Sequence, residues 1–286
     1  MPDTFPAKLL LFGEYTVLDG SQALAVPLKR WTGKWNKQDQ NMQMSLVPEY
    51  FRWLNKVDII SDETFNWMVR EYEEGLTYEA DIPIGYGVGS SGAYVAAIYD
   101  RYIKSGENDI NKSAELMARM ESYFHGSSSG MDPLVSFSGK AVHKNEKGVL
   151  QPIDDKGWPE GYKIYLLDSG IVRETSSLVN RYKERTEDHK TTRRIKRQLS
   201  PQVDHAIQNY MEGNSKKLEK HLGEICSLQR ECFEEVIPEN VKSKWDDLAS
   251  QPGVYVKLCG AGGGGYFLVI TSGQQDLSAE DLVNIP

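Results

Sequence analysis

A chain of 286 residues is long enough to bury one large core or two of ordinary size. Its 40% hydrophobic and 26% charged content is that of a globular protein, and a net charge of −8 repels a phosphate backbone, which argues against nonspecific nucleic-acid binding. No apolar run reaches bilayer-spanning length, no basic-then-apolar leader opens the chain, and Cys226, Cys232 and Cys259 lack metal-ligand spacing. A cytoplasmic protein without membrane or nucleic-acid partners is therefore expected.

In chain order, apolar patterning predicts strands at residues 8–12 and 23–28, a helix over 62–72 and a strand over 77–82. Directly after that strand comes the run Pro83-Ile84-Gly85-Tyr86-Gly87-Val88-Gly89-Ser90-Ser91-Gly92-Ala93, which opens a helix predicted to reach residue 104. Alternating glycines let the backbone pass close to a bulky anion, the first-turn N–H groups of the helix point outward, and the helix dipole favours negative charge there. Ser90 and Ser91 add hydroxyls able to bond a phosphate oxygen or enter the shell of Mg²⁺. Gly87-x-Gly89-x-x-Gly92 also fits a dinucleotide fingerprint. That fingerprint belongs in the first βα unit of a parallel sheet, whereas this run begins only at residue 83. The acid about 20 positions on, Asp109, sits in a polar stretch that reads as a loop and helix cap.

A helix follows over 110–124, with Leu116, Met120, Tyr123 and Phe124 on a shared face expected to pack in the core. Glu121 falls in its last turn. Asp132 follows a loop of small residues and precedes Pro133, which biases it toward extended backbone. Two carboxylates so placed suit different tasks, one binding a metal and the other accepting a proton from a hydroxyl, against the plainer alternative that Asp132-Pro133 starts a turn. Between residues 144 and 162 the apolar signal falls and Gly, Pro, Asp and Lys accumulate, which places a domain boundary there and divides the chain into 1–155 and 156–286. Beyond it come a strand at 163–167, helical patterns from 176 to about 249, and strands at 254–258 and 266–270. The charged segment 181–197, with Arg193, Arg194, Lys196 and Arg197, reads as a solvated face, with contact to an anionic substrate as the minor alternative. Glycines at 260 and 262–265 join the last two strands. A hairpin needs fewer, so the tract implies close approach of backbone to a ligand or to another loop.

Residues 6–15 (PAKLLLFGEY), 83–93 and 257–265 resemble, in order, the three motifs of the GHMP kinases, the family named for galactokinase, homoserine, mevalonate and phosphomevalonate kinases. The resemblance implies an α+β, two-domain GHMP kinase fold, with an N-terminal ATP-binding domain like ribosomal protein S5 domain 2, a C-terminal ferredoxin-like domain, and the active site between them. Residues 121–133 are similar to the pattern of the mevalonate kinase branch, in which a glutamate precedes His-Gly and then Ser-Gly-x-Asp. Carried over by that resemblance, Asp132 is the catalytic base and Lys8 its charged neighbour. Gly85, Gly87, Gly89, Ser90, Ser91, Gly92 and Ala93 hold ATP, Ser91 and Glu121 hold Mg²⁺, and Glu14, Tyr15, His125, Thr175, Gly262 and Gly263 line the acceptor. Thr175 rests on the weaker match of residues 168–175.

The resemblance thus implies an ATP-dependent kinase for a small hydroxy acid, transferring the γ-phosphoryl group to mevalonate to give 5-phosphomevalonate for isoprenoid synthesis. The alternatives are a phosphomevalonate or sugar kinase of the same family and, as a non-enzyme, a catalytically inactive nucleotide-binding regulator. Tyr15 in place of a usual histidine, Ser128 in place of a proline and Lys140 in place of a glycine leave the phosphate machinery intact and bear on the acceptor. A homodimer is compatible with the sequence, which does not fix the oligomeric state.

Overall fold

The computed structural model describes residues 4–37, 48–104, 106, 109–172, 189–273 and 276–285. Strand β1 (Phe5–Phe12) is buried along nearly its whole length because it separates two cores: Phe5, Ala7, Leu9 and Leu11 belong to one, while Leu10 packs on the other. Alternation along the strand puts Lys8 on the Leu10 side. β2 (Ala23–Lys37) is long enough to serve three antiparallel partners: β1, then β4 (Ala141–Lys144) near its start and β3 (Leu76–Ala80) at its far end. β5 (Leu150–Ile153) pairs with β4 and completes a five-stranded sheet. The expected end of β2 at residue 28 is too early. Lys29 and Arg30 interrupt the apolar run, but beyond them Trp31, Gly33 and Trp35 alternate with polar residues and carry the strand on to β3.

Among the described residues the α-helices of this half are α1 (Glu49–Lys56), α2 (Asp62–Glu73), α3 (Ser90–Ile98), α4 (Ile110–His125) and α5 (Met131–Ser138). Ser61 caps α2 by accepting from the Thr64 amide at 3.2 Å, and Asp109 caps α4 by accepting from Asn111 at 2.9 Å. Asp109 is thus a helix cap, not the ribose ligand of a dinucleotide fold. α3 and α5 pack on β1 and β2, and Tyr50, Leu54, Met68, Val95, Ile98, Met117, Met120 and Leu134 fill the core around them. In α4 the buried face is Ala114, Met117, Met120 and Glu121; Phe124, expected in the core, is 39% exposed.

Asp132 departs from the expected extended loop, since it lies in the first turn of α5 with Pro133 immediately after it. A proline is tolerated there because first-turn amides have no intrahelical acceptor to lose. Of the polar stretch after β4, residues 145–148 form a hairpin turn in which Asn145 Oδ1 accepts from the Lys147 and Val149 amides, both at 3.0 Å. Only residues 154–162 connect the two sheets.

The second sheet has the order β7-β8-β6-β9, antiparallel throughout: β6 (Lys163–Asp168), β7 (Val254–Leu258), β8 (Tyr266–Thr271) and β9 (Leu282–Ile285). With it go helices α6 (His189–Arg194), α7 (Ser200–Glu212), α8 (Ser215–Cys232) and α9 (Glu239–Ala249). Leu166, Phe267, Leu268, Val203, Leu222 and Trp245 share one core with Phe5, Leu9 and Leu11 of β1, so burial runs continuously between the sheets. Among the described residues no helix is long and apolar enough to cross a membrane.

Candidate active site

The phosphate-type loop leaves β3 and turns into α3 through three glycines, Gly85, Gly87 and Gly89, all at φ near +80°. A side chain is disfavoured at each by backbone geometry alone. Gly89 is also the N-cap of α3, and a methyl group there would meet Lys8 Cγ at 2.6 Å. The Lys8 amide donates to the Val88 carbonyl at 2.8 Å, which ties β1 to the loop. Gly92 does different work, because a Cβ there would lie 2.9 Å from the Asp132 backbone and Cβ. Its absence lets α3 and α5 approach closely enough to bring Asp132 beside the loop. The first-turn amides of Ser90, Ser91 and Gly92 are those a helix leaves for an external acceptor. Ala93 does not share that property: its amide donates to Gly89 at 3.0 Å and its methyl is buried.

Lys8 Nζ and Asp132 Oδ2 form an ion pair at 3.0 Å, with side-chain exposures of 7% and 32%. The lysine is enclosed while the carboxylate keeps access to solvent. Beneath them Ser91 Oγ donates to Glu121 Oε1 at 3.1 Å and lies 2.9 Å from His125 Nε2. Ser128 Oγ donates to the other Glu121 oxygen and accepts from the Gly130 amide at 3.0 Å. Burial pushes the Glu121 carboxyl up to about 7, the Asp132 charge adds to the rise, and hydrogen bonds from Ser128 and Ser91 with the charge of Lys8 oppose it. A cation beside the two carboxylates would offset the burial and the Asp132 charge that raise Glu121.

Among the described residues no cluster of three or more His, Cys, Asp or Glu side chains forms a metal cage. Mg²⁺ asks for less, since it commonly takes one or two protein oxygens and completes its shell with phosphate and water. Ser91 and Glu121 fit that donor set at the mouth of the glycine loop.

The C-terminal tract makes its close approach to other loops of the chain. Added Cβ atoms at Gly262, Gly264 and Gly265 would meet the carbonyl oxygens of Val236, Ile171 and Tyr86 at 2.7, 2.5 and 2.6 Å. Gly263 donates to Val236 at 2.6 Å, Gly265 to Ile171 at 2.7 Å and Tyr266 to Tyr86 at 3.3 Å. The tract therefore lies directly against the phosphate-type loop.

Lys8, Ser91, Glu121, His125 and Asp132 thus converge around the loop, while Gly262 and Gly263 lie against Val236. Glu14 and Tyr15, read from the sequence as acceptor residues, have their polar atoms engaged inside the protein. The Glu14 carboxylate pairs with Lys257, both side chains fully buried, and accepts from Gln229 Nε2 at 3.3 Å. The Tyr15 hydroxyl donates to the Ala261 carbonyl. Thr175 and residues 181–188 lie outside the described residues. In the rest of the charged segment Arg194 pairs with Glu231 and Lys196 with Asp19, while Arg193 and Arg197 are exposed.

The sequence reading gives Gln229 no role, places Lys257 only at the start of the third motif, and has Ser128 only as a departure bearing on the acceptor. A signal for Lys257 existed, since it is the one charge in the apolar strand Val254–Leu258 and a buried charge demands a partner.

Residues 60–140 match the family model "GHMP kinases N terminal domain". The chain is 24% identical to a mevalonate kinase of Archaeoglobus fulgidus, an alignment covering 94% of this chain and 92% of that one. It is 27% identical to a mevalonate kinase of Thermococcus gammatolerans over 63% of this chain and 61% of the relative. Among solved structures, mevalonate kinase of L. major in complex with R-mevalonate superposes with a TM-score of 0.64 at 17% identity, covering 94% of this chain and 86% of the other. Phosphomevalonate kinase of Streptococcus pneumoniae superposes almost equally, at 0.62 and 16% identity, covering 94% and 91%. The chain is thus similar in residues 60–140 to the N-terminal domain of the GHMP kinases and along most of its length to mevalonate kinases, and its fold is one that kinases of different acceptors share.

Proposed function

We propose that the chain transfers the γ-phosphoryl group of ATP to the primary hydroxyl of mevalonate. The observation that carries this reading is the Lys8–Asp132 pair at the mouth of the glycine loop, with the carboxylate partly open to solvent. Support for the acceptor comes from relatives named mevalonate kinase and from the placement of His125 against Ser91 within the segment that leads to Asp132.

Asp132 takes the proton of the attacking hydroxyl as its oxygen bonds to the γ-phosphorus and the bond to the bridging oxygen of ADP breaks. Lys8 offsets the charge that gathers on the transferred group, and the first-turn amides of α3 hold the phosphates in line. Ser91 and Glu121 would hold Mg²⁺, which when bound neutralises the outer phosphates. The domains of the proposal are residues 1–155, bearing the loop and the base, and 156–286, bearing the glycine tract.

A coupled ADP-release assay across mevalonate, phosphomevalonate, homoserine and several sugars tests the reading. Mevalonate should exceed phosphomevalonate in kcat/KM by at least roughly 10²-fold, about 2.7 kcal/mol, because a site shaped for one carboxylate leaves an added phosphate without countercharge. A reversed preference would overturn the acceptor and leave the family standing.

A further inference from the structure

The turn that follows β1 is held in a costly conformation. Tyr15 has φ 62° and ψ −44°, and the Thr16 amide donates back to the Glu14 carbonyl at 2.7 Å, which closes a γ-turn of positive φ. A bulky residue persists there only where its surroundings over-determine it. Contacts of Tyr15 and of the adjacent Glu14 do so, and they reach the glycine tract, the strand before it and the end of α8. The Tyr15 hydroxyl donates to Ala261, and the Tyr15 ring stacks on Phe233 with centroids 4.7 Å apart and planes 16° from parallel. Beside it Glu14 pairs with Lys257 and accepts from Gln229, whose Oε1 in turn accepts from the Leu258 amide at 2.9 Å. Phe233 is itself linked onward, since its carbonyl accepts from Val236 at 3.0 Å and Val236 accepts from Gly263. At its far end the tract meets the phosphate-type loop through Gly265 and Tyr266, and the Tyr86 and Tyr266 rings lie 4.9 Å apart.

We propose that Tyr15 is a positioning residue: with the Glu14–Lys257 pair it latches the turn after β1 to the glycine tract, and through the tract it holds the phosphate-type loop in place. Its hydroxyl and ring face the protein, and only 5% of the residue is exposed, so it meets no acceptor. The inference rests on the nucleotide reading of the loop for its binding arm only.

Tyr15→Phe keeps the ring and removes the donor. In the full chain without ligand, hydrogen exchange at the Gly263, Gly265 and Tyr266 amides should quicken about tenfold, with β2 amides unchanged, as expected for a local opening eased by one lost hydrogen bond. Phe233→Leu, which removes the stack and keeps the hydroxyl, should move the same amides by roughly two- to threefold. In the binding arm, the dissociation constant of a non-hydrolysable Mg-ATP analogue should rise roughly three- to tenfold in Tyr15→Phe, while the KM for the acceptor at saturating nucleotide stays put. Unchanged exchange at the three amides overturns the latch whether or not the chain binds nucleotide. A raised acceptor KM with unchanged nucleotide affinity also overturns it, and makes Tyr15 an acceptor ligand instead.

Discussion

Two lysine–carboxylate pairs are built from the same chemistry and placed in opposite surroundings. Lys257 and Glu14 are wholly buried, with Gln229 donating to the carboxylate and the Leu258 carbonyl accepting from the ammonium. Lys8 and Asp132 sit 3.0 Å apart at the edge of a glycine loop, with the carboxylate about one-third exposed. A sealed pair cannot meet a substrate and is costly to desolvate, so what it contributes is a fixed geometry between the turn after β1 and β7. The half-open pair can exchange protons with a ligand. The kind of residue therefore does not separate reactive from structural ion pairs; access to solvent does.

Removing the proton acceptor from the open pair should have the largest effect. Asp132→Asn keeps shape and is expected to lower kcat by about 10²–10⁴-fold while nucleotide still binds, read by steady-state kinetics beside calorimetric binding. Near-normal turnover would make Asp132 structural and erase the distinction between the pairs. Breaking the sealed pair should instead act on stability. Glu14→Gln leaves Lys257 buried without its anion and should cost about 3–5 kcal/mol in urea unfolding, much of which the apolar double replacement Glu14→Leu with Lys257→Met should restore.

Glu121 sharpens the comparison through pH. Its folded value of about 7 lies above the ordinary 4.5, so between those values the folded chain holds a proton that the unfolded chain has released. Stability of the metal-free protein should therefore fall as pH rises from about 4.5 to 7 and stay lower above it. Glu121→Gln removes that slope and should gain on the order of 2 kcal/mol over the parent at pH 8, measured by unfolding in chelator. The smallest effect is expected from Ser91→Ala, which withdraws one proposed ligand. The Mg²⁺ concentration for half-maximal rate should rise roughly tenfold, and an unchanged requirement would remove Ser91 from the metal site.

Much of the site was legible because its parts are local in sequence. The glycines at 85, 87 and 89 mark positive-φ backbone, and the strand before them and helix after them follow from apolar pattern. Gly92 was legible as a special position but not for its reason, since the atoms it accommodates belong to Asp132, forty residues on. Pro133 restricts its predecessor and so points to extended backbone at Asp132, yet the first turn of α5 tolerates both. β4, β5 and β9 span only four residues each, too few for a period to emerge, and α1 is hardly longer at eight. The pairing of Glu14 with Lys257 joins residues from the two ends of the chain, and no local pattern encodes such a contact. The partner of Glu14 in β7 is therefore not legible from the residues around it.

The most direct test runs Lys8→Met and Lys257→Met side by side, recording kcat with mevalonate at saturating Mg-ATP and the free energy of urea unfolding. Lys8→Met should lose at least about 10²-fold in kcat and only about 1 kcal/mol of stability, because its partner keeps contact with water. Lys257→Met should lose about 3–5 kcal/mol of stability and, at a temperature where it stays folded, less than about tenfold in kcat. The opposite pattern, with turnover lost on removing Lys257 and only stability lost on removing Lys8, would contradict the assignment of chemistry to the open pair.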